Sequence, residues 1–529
     1  MTNCSGSKRR RKTAATLCTV LVGGLGLGTS GCANLLVGPG NSGGPFATTV
    51  PTAGNTAGAV TEDDIPAGFE QWYNQQIHWE KCGQQFQCAD ISAPLSWNDP
   101  NGGSIELAVK KHTVRGNNKI GTLLINPGGP GASGVSFVED SVSLFGERVQ
   151  RSFDVLGFDP RGVGQSNPVQ CLDDAEKDEF LGADFPDGEA GRELLKASVS
   201  KWGAACAANT GALLGEIDTQ SAARDMDLIR HLVGDPKMNY LGFSYGTQLG
   251  ATYAGLFPQN VGRMVLDGAI DITLGFDESS RAQAIGFENA LRSYVADCQS
   301  RANCPLKGSV EDGLAQIREL FQSAFEHPLP TGTDRVLTRN LALVGVAVTL
   351  YDEAAWPILT DALNSAITDH DGRMLLVLAD FYNDRNPDGT FSTNSTEAFS
   401  AVSCLDDRGT TDPAEMDANN AKLMEVAPTV GFFFRDGGLM CWDWPHPAVE
   451  TNYDIHAPGT PPILVIGTTG DPATPYEQAV ALAQTLEGGV LLTYDGEGHG
   501  AYTRSNACIM DTVDDFLVDG TVPENNRRC

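Results

Sequence analysis

A chain of 529 residues exceeds one ordinary hydrophobic core, so a large domain carrying a substantial insertion is expected. Its 41% hydrophobic and 19% charged residues describe a folded globular protein, not a disordered or fibrous one. The formal net charge of −31 argues against nucleic acid and anionic lipid headgroups as electrostatic partners, and favours cationic groups.

The chain opens with a basic run, Lys8 to Lys12, followed by a moderately apolar, glycine-rich stretch over 13–28 that is too short for a comfortable membrane span. Thr29-Ser30-Gly31-Cys32 then looks like a bacterial lipobox, with Thr29 where leucine is usual. Residues 1–31 therefore read as a signal peptide, with Cys32 as the lipidation candidate and ordinary cleavage to a soluble protein as the alternative. Either way the protein is expected to be exported; if Cys32 is lipidated it stays at the cell envelope, its only contact with membrane the N-terminal lipid anchor, and otherwise it is released as a soluble form. Residues 32–66 are rich in Gly, Thr, Ala, Ser, Asn and Pro, and read as a flexible tether.

Beyond Cys4, Cys18 and Cys32, ten cysteines remain of the thirteen, an even number as export predicts. In order they are Cys82 and Cys88, Cys171 and Cys206, Cys298 and Cys304, Cys404 and Cys441, Cys508 and Cys529. Five sequential disulfides would each close a local loop, although order alone does not fix connectivity. No C-x-x-C occurs and the histidines are scattered, so no metal or other cofactor is expected.

The folded part begins near Gly68. Apolar-bearing runs at 88–95 and 104–111, separated by Asn98-Asp99-Pro100-Asn101-Gly102-Gly103, predict an antiparallel hairpin. Short apolar strands at 121–125 and 153–158 end in Asn126-Pro127-Gly128-Gly129-Pro130-Gly131 and in Asp159-Pro160-Arg161-Gly162-Val163-Gly164-Gln165-Ser166. A helix over 217–232, with Thr219 as a possible N-cap, precedes a strand at 238–241. Gly242-Phe243-Ser244-Tyr245-Gly246 follows, and then small and apolar residues at helical spacing up to Pro258. A strand at 261–266 ends in Asp267.

From about 271 to 456 the pattern is mainly helical and lacks strand-turn signals. Strands resume at 463–466, ending in Gly467 to Asp471, and at 490–494, ending in Gly496-Glu497-Gly498-His499-Gly500, with a helix around 476–486 between them. Apolar strands alternating with helices imply a mostly parallel sheet covered on both faces, and the helical block is an insertion over its carboxyl edge. The expected divisions are a core over 67–270, a helical cap over 271–456 and a second core segment over 457–529.

Strand, tight turn and helix around Ser244 hold a hydroxyl at the sheet edge beside a helix N-terminus. Serine is a weak nucleophile and needs a base, which in turn needs a carboxylate to orient it. Ser244, Asp471 and His499 occur in the order this architecture requires, each just beyond a predicted strand. Asp267 is the alternative acid. The oxyanion needs two backbone N–H donors. Tyr245 supplies one; Pro127 and Pro130 have none, so Gly128 and Gly129 are candidates for the other, with Gly129 preferred.

Pro127-Gly128-Gly129-Pro130-Gly131 resembles the H-G-G-P-G loop of the prolyl-iminopeptidase family, with proline in place of histidine. The stretch from Asp159 to Ser166 is similar to that family's D-x-R-G-x-G-x-S, and the turn at Ser244 also fits. The segment 467–475 and the G-E-G-H-G ending resemble secreted tripeptidyl aminopeptidases. The resemblance implies an α/β-hydrolase fold with a helical cap, and a serine peptidase releasing short peptides from free amino termini of peptide or protein substrates. It also implies acidic cap residues that bind the substrate's α-ammonium, for which Asp406, Asp407 and Glu353 are candidates; solvated surface acids are the alternative. Trp356, Trp442 and Trp444 belong either to a substrate wall or to the cap core. An esterase, lipase or endoprotease on the same scaffold, or a non-catalytic envelope binding protein, are the competing functions.

Overall fold

The computed structural model describes residues 65–114 and 119–529. The signal peptide over 1–31, Cys32 and nearly all of the proposed tether lie outside the described residues. Among the described residues, no helix is long and apolar enough to cross a membrane.

Among the described residues, twelve strands occur in chain order: β1 (Glu80–Lys81), β2 (Phe86–Ser96), β3 (Asp99–His112), β4 (Gly121–Asn126), β5 (Phe153–Phe158), β6 (Met238–Phe243), β7 (Val261–Asp267), β8 (Leu329–Pro330), β9 (Val336–Leu337), β10 (Ile463–Gly470), β11 (Gly489–Glu497) and β12 (Arg527–Arg528). Ten of them form one sheet in the order β1-β2-β3-β5-β4-β6-β7-β10-β11-β12. The β1–β2, β2–β3 and β3–β5 pairs are antiparallel, and every pair from β5 to β12 is parallel.

The central strands are apolar on both faces because both are covered. Alternation along each strand divides the two cores. Leu124, Tyr240, Met264, Ile463 and Val465 enter one core. Leu123, Ile125, Leu241, Val265, Leu464 and Ile466 enter the other. The insertion between β7 and β10 has a third core of its own, which includes Ala473 from the loop after β10.

Several local expectations need correction. The hairpin turns at Trp97-Asn98, and Asp99 to Gly103 belong to β3. Trp97 is buried and donates its indole N–H to Asp225 at 2.9 Å, which fixes the turn ahead of the glycines. Asp218, not Thr219, caps the helix Thr219–Leu232, accepting from Ser221 N. Such a cap contributes about 1 kcal/mol. The helix after Ser244 starts at Tyr245, and the insertion contains the small antiparallel pair β8–β9.

Helices Asp174–Gly182 and Glu189–Thr210 precede the insertion in sequence but bond to it. Asp178 pairs with Arg335 and Arg385, Arg192 with Asp417 and Asp436, and buried Lys177 with Glu397 at 2.7 Å. Asn394 of the insertion also donates to Gly162 O and Val169 O and accepts from Gly164 N. Cap and core are therefore joined by polar contacts on several sides.

Disulfides join Cys82–Cys88, Cys171–Cys206, Cys298–Cys304, Cys404–Cys441 and Cys508–Cys529. Alkylation of the denatured, unreduced protein followed by peptide mapping is expected to leave these ten cysteines unlabelled. Labelling of two or more would break the scheme.

Candidate active site

Ser244 sits at the apex between β6 and the helix Tyr245–Leu256 with φ 55° and ψ −125°, a conformation that L-residues rarely adopt. Three bonds hold it there. Its N–H donates to Asp267 O at 3.0 Å, and its carbonyl accepts from Thr247 N at 2.8 Å and Thr247 Oγ1 at 2.6 Å. A side chain at Gly242 is impossible, because its Cβ would lie 2.3 Å from Gly246 O.

The loop after β4 wraps the same turn. Gly128 has φ +98°, and a Cβ there would stand 2.5 Å from Phe243 O and 2.9 Å from Ser244 Cβ. Its N–H is already donated to Asn126 Oδ1 at 2.9 Å. Of the two glycines, this leaves Gly129 with an N–H to offer a ligand, alongside Tyr245 N at the first turn of the helix. The stretch from Asp159 to Ser166 supports this loop. Asp159 accepts from Ser133 Oγ, Val135 N and Gln165 N, while buried Arg161 chelates Asp225 with Nε at 2.7 Å and Nη2 at 2.6 Å.

His499 follows β11, and its Nδ1 lies 2.9 and 3.0 Å from the two oxygens of Asp471. Because a carboxylate only accepts, Nδ1 carries the proton and Nε2 is left to take one. Asp471 also accepts from Ala473 N, Thr474 N and Gly500 N, so its side chain is fully buried yet hydrogen-bonded. Burial alone pushes the His499 pKa down, but the charge and hydrogen bond of Asp471 outweigh it and the net shift is upward. Asp267, the alternative acid, accepts instead from Ala501 N and Tyr502 N. It fixes the chain just beyond His499, and burial raises its pKa against those backbone donors.

The three candidate acids have different surroundings. Asp406 accepts from Thr219 N at 2.8 Å, from Thr219 Oγ1 and from Gln248 Nε2, and Thr219 Oγ1 also meets Tyr245 Oη at 2.6 Å. Exposed Asp407 accepts from Phe276 N at 2.7 Å, at the start of helix Phe276–Gln299. Glu353 is exposed in a 3-10 turn. Trp356 is buried in the core of the insertion, Trp444 is buried in the core on one face of the main sheet, and Trp442 packs under Lys196.

Sequence reasoning missed Thr474, whose Oγ1 lies 3.3 Å from His499 Nδ1, and Asn126, which takes up the Gly128 N–H. It also missed Tyr351, whose carbonyl accepts from His499 N at 2.9 Å. The proximity of Thr474 to Asp471 in sequence was a usable signal for the first; nothing local pointed to Tyr351.

A model of TAP-like proteins, a class of α/β-hydrolase domain, matches residues 427–529. The chain is 36% identical over 455 residues to "Serine protease Hip1" of Mycobacterium tuberculosis, covering 84% of this chain and 87% of that protein. It is 35% identical over 499 residues to "Carboxylesterase B" of the same species, covering 91% and 93%. It is 30% identical over 493 residues to "Tripeptidyl aminopeptidase" of Streptomyces coelicolor, covering 86% of each. The chain is a serine hydrolase and belongs to the TAP-like family of α/β-hydrolases.

Proposed function

We propose that this hydrolase is an exported serine peptidase that releases short peptides, of tripeptide length, from free amino termini. Ser244 Oγ attacks the scissile carbonyl while His499 Nε2 takes its proton, and Asp471 stabilises the imidazolium that forms. Tyr245 N and Gly129 N bind the oxyanion. The imidazolium then protonates the leaving amine, and water hydrolyses the acyl-enzyme by the same route. The observation that carries this reading is the pairing of His499 Nδ1 with a buried, hydrogen-bonded Asp471, on the sheet edge that also presents the strained Ser244 turn.

The preference for a free amino terminus is supported by Asp406. Burial pushes its pKa up to about 7, against the hydrogen bonds from Thr219, and its charged neighbours Asp218 and Asp407 push the same way. A substrate ammonium is the cation such a carboxylate lacks; Asp407 and Glu353 are the further candidates. Charge-assisted hydrogen bonds of this kind are worth about 1.5–3 kcal/mol, or roughly ten- to a hundredfold in kcat/KM. Tripeptide substrates with free amino groups are expected to be cut at least that much faster than their N-acetylated counterparts, and Asp406→Asn should erase most of the difference. Equal rates on both would rule out an obligate aminopeptidase. The acyl-transfer machinery also serves esters, and the relative named as a carboxylesterase favours that second reading. An ester substrate cleaved while all free peptides are left intact would establish it. Export to the envelope, with Cys32 carrying a lipid anchor, completes the proposal; mass spectrometry of the mature amino terminus tests it.

A further inference from the structure

The cap reaches the proposed base and acid at two places. Helix Phe276–Gln299 lies over the loop that carries Asp471, with Gln283 Nε2 donating to Ala473 O at 3.2 Å. The same helix crosses that loop so closely at Gly286 that a Cβ would stand 2.5 Å from Pro472 O. Tyr351, the residue ending helix Arg339–Leu350, accepts the backbone N–H of His499 at 2.9 Å. Its ring meets the His499 imidazole edge-on, with centroids 5.3 Å apart and planes at 85°. On its other sides that ring packs against Phe287 at 6.0 Å and Tyr382 at 6.3 Å, both from the cap. Gly498 has φ +91°, and a Cβ there would lie 2.6 Å from Tyr351 O, so the chain beside His499 is shaped to admit this contact.

We infer that Tyr351 is a positioning residue for His499: its carbonyl fixes the backbone of the base, and its ring closes the side of the imidazole turned to the cap. The inference rests on the reading of Ser244, His499 and Asp471 as nucleophile, base and acid. Asp471 fixes Nδ1 but leaves the ring free to tilt about that bond. An aromatic edge packed on the imidazole restricts the tilt and keeps water from the base. The cap therefore contributes to the chemical step as well as to substrate selection. A base displaced by about 1 Å costs on the order of a hundredfold in rate.

The charged groups facing His499 are Asp471 and Asp267, which raise its pKa, and Arg504, which lowers it. Tyr351 stays neutral, since burial holds its hydroxyl well above its usual range. Its effect on the imidazole is therefore exclusion of water, which opposes protonation. For the wild type, kcat/KM should fall as pH drops through the His499 pKa, which lies above its ordinary 6.5. Tyr351→Ala admits water, eases the burial penalty on the imidazolium and should move this acid limb to higher pH.

The test compares wild type, Tyr351→Phe and Tyr351→Ala on one peptide substrate across pH, with thermal denaturation as the folding control. Tyr351→Ala is expected to lose about ten- to a hundredfold in kcat with a smaller change in KM, and Tyr351→Phe to restore kcat to within about threefold. Should the alanine variant not fold, Tyr351→Leu provides the comparison. A folded variant without the ring that keeps wild-type kcat and acid limb, or that changes KM alone, overturns the inference. Fluorophosphonate labelling of the wild type separates the two levels of argument. An adduct on Ser244 with an unaffected Tyr351 variant removes only the role of Tyr351, whereas an adduct on another serine removes the function on which it rests.

Discussion

Ser244→Ala is expected to fold as the wild type does and to lose on the order of 10⁴- to 10⁶-fold in kcat, as in other serine triads. Folding should survive because the bonds that hold the turn are made by the backbone of residue 244, to Asp267 O, Thr247 N and Thr247 Oγ1. The substitution removes one oxygen and leaves those bonds in place. Residual activity should reflect the oxyanion donors and substrate binding, which the variant retains. Circular dichroism and thermal denaturation verify the fold, and a single-turnover assay measures the loss. A drop smaller than about tenfold would mean that another group is acylated.

The second large effect separates the two acids at the sheet edge. Asp471→Asn is expected to lower kcat about 10⁴-fold, beyond any loss of stability from its own backbone donors Ala473 N, Thr474 N and Gly500 N. The amide can donate to Nδ1, which favours the wrong tautomer and places a proton on Nε2, where the base must be free. Asp267→Asn should act differently. Asp267 receives Ala501 N and Tyr502 N and makes no hydrogen bond to the imidazole, so its amide disturbs the loop after His499. A buried donor left with a poorer partner costs about 1–3 kcal/mol, which should appear as a lower Tm with a far smaller loss of kcat. If Asp267→Asn, still folded, abolishes turnover and Asp471→Asn does not, the roles of the two carboxylates are exchanged.

The contrast between these acids shows where local sequence stops being informative. Asp267 ends β7 and Asp471 immediately follows β10, and both fall between Ser244 and His499 in the chain. Spacing therefore admits either one. What separates them in space is the sheet order, which seats β10 between β7 and β11. Asp471 then faces the imidazole, while Asp267 faces the two N–H groups that follow it. The loop after β4 behaves similarly. Pro127 and Pro130 lack N–H groups, so the sequence left Gly128 and Gly129 as candidate donors, and the side chain of Asn126, folded back onto Gly128, distinguishes the two.

By itself the sequence determined what depends on neighbours along the chain. Apolar runs ending in glycine-rich turns located the strands, because burial on both faces demands continuous hydrophobicity. The chain order of Ser244, Asp471 and His499, each beside the end of a strand, was legible too, and cysteines adjacent in order proved to be partners in space. Only the tertiary structure decided contacts made across the insertion. Residues 174–210 fall within the expected core segment 67–270, yet the charges of helices Asp174–Gly182 and Glu189–Thr210 are paired with the insertion. Asp406 read as a candidate for a substrate ammonium or a solvated acid, and only the structure shows it bonded to Thr219, whose hydroxyl also meets Tyr245 Oη. Tyr351 carried no signal, because the contact it makes with His499 uses a carbonyl that every residue possesses and a ring placed by the packing of Phe287 and Tyr382 around it. Periodicity and turn chemistry act over a few residues; which distant backbone groups meet is set by how the cap core packs onto the sheet edge.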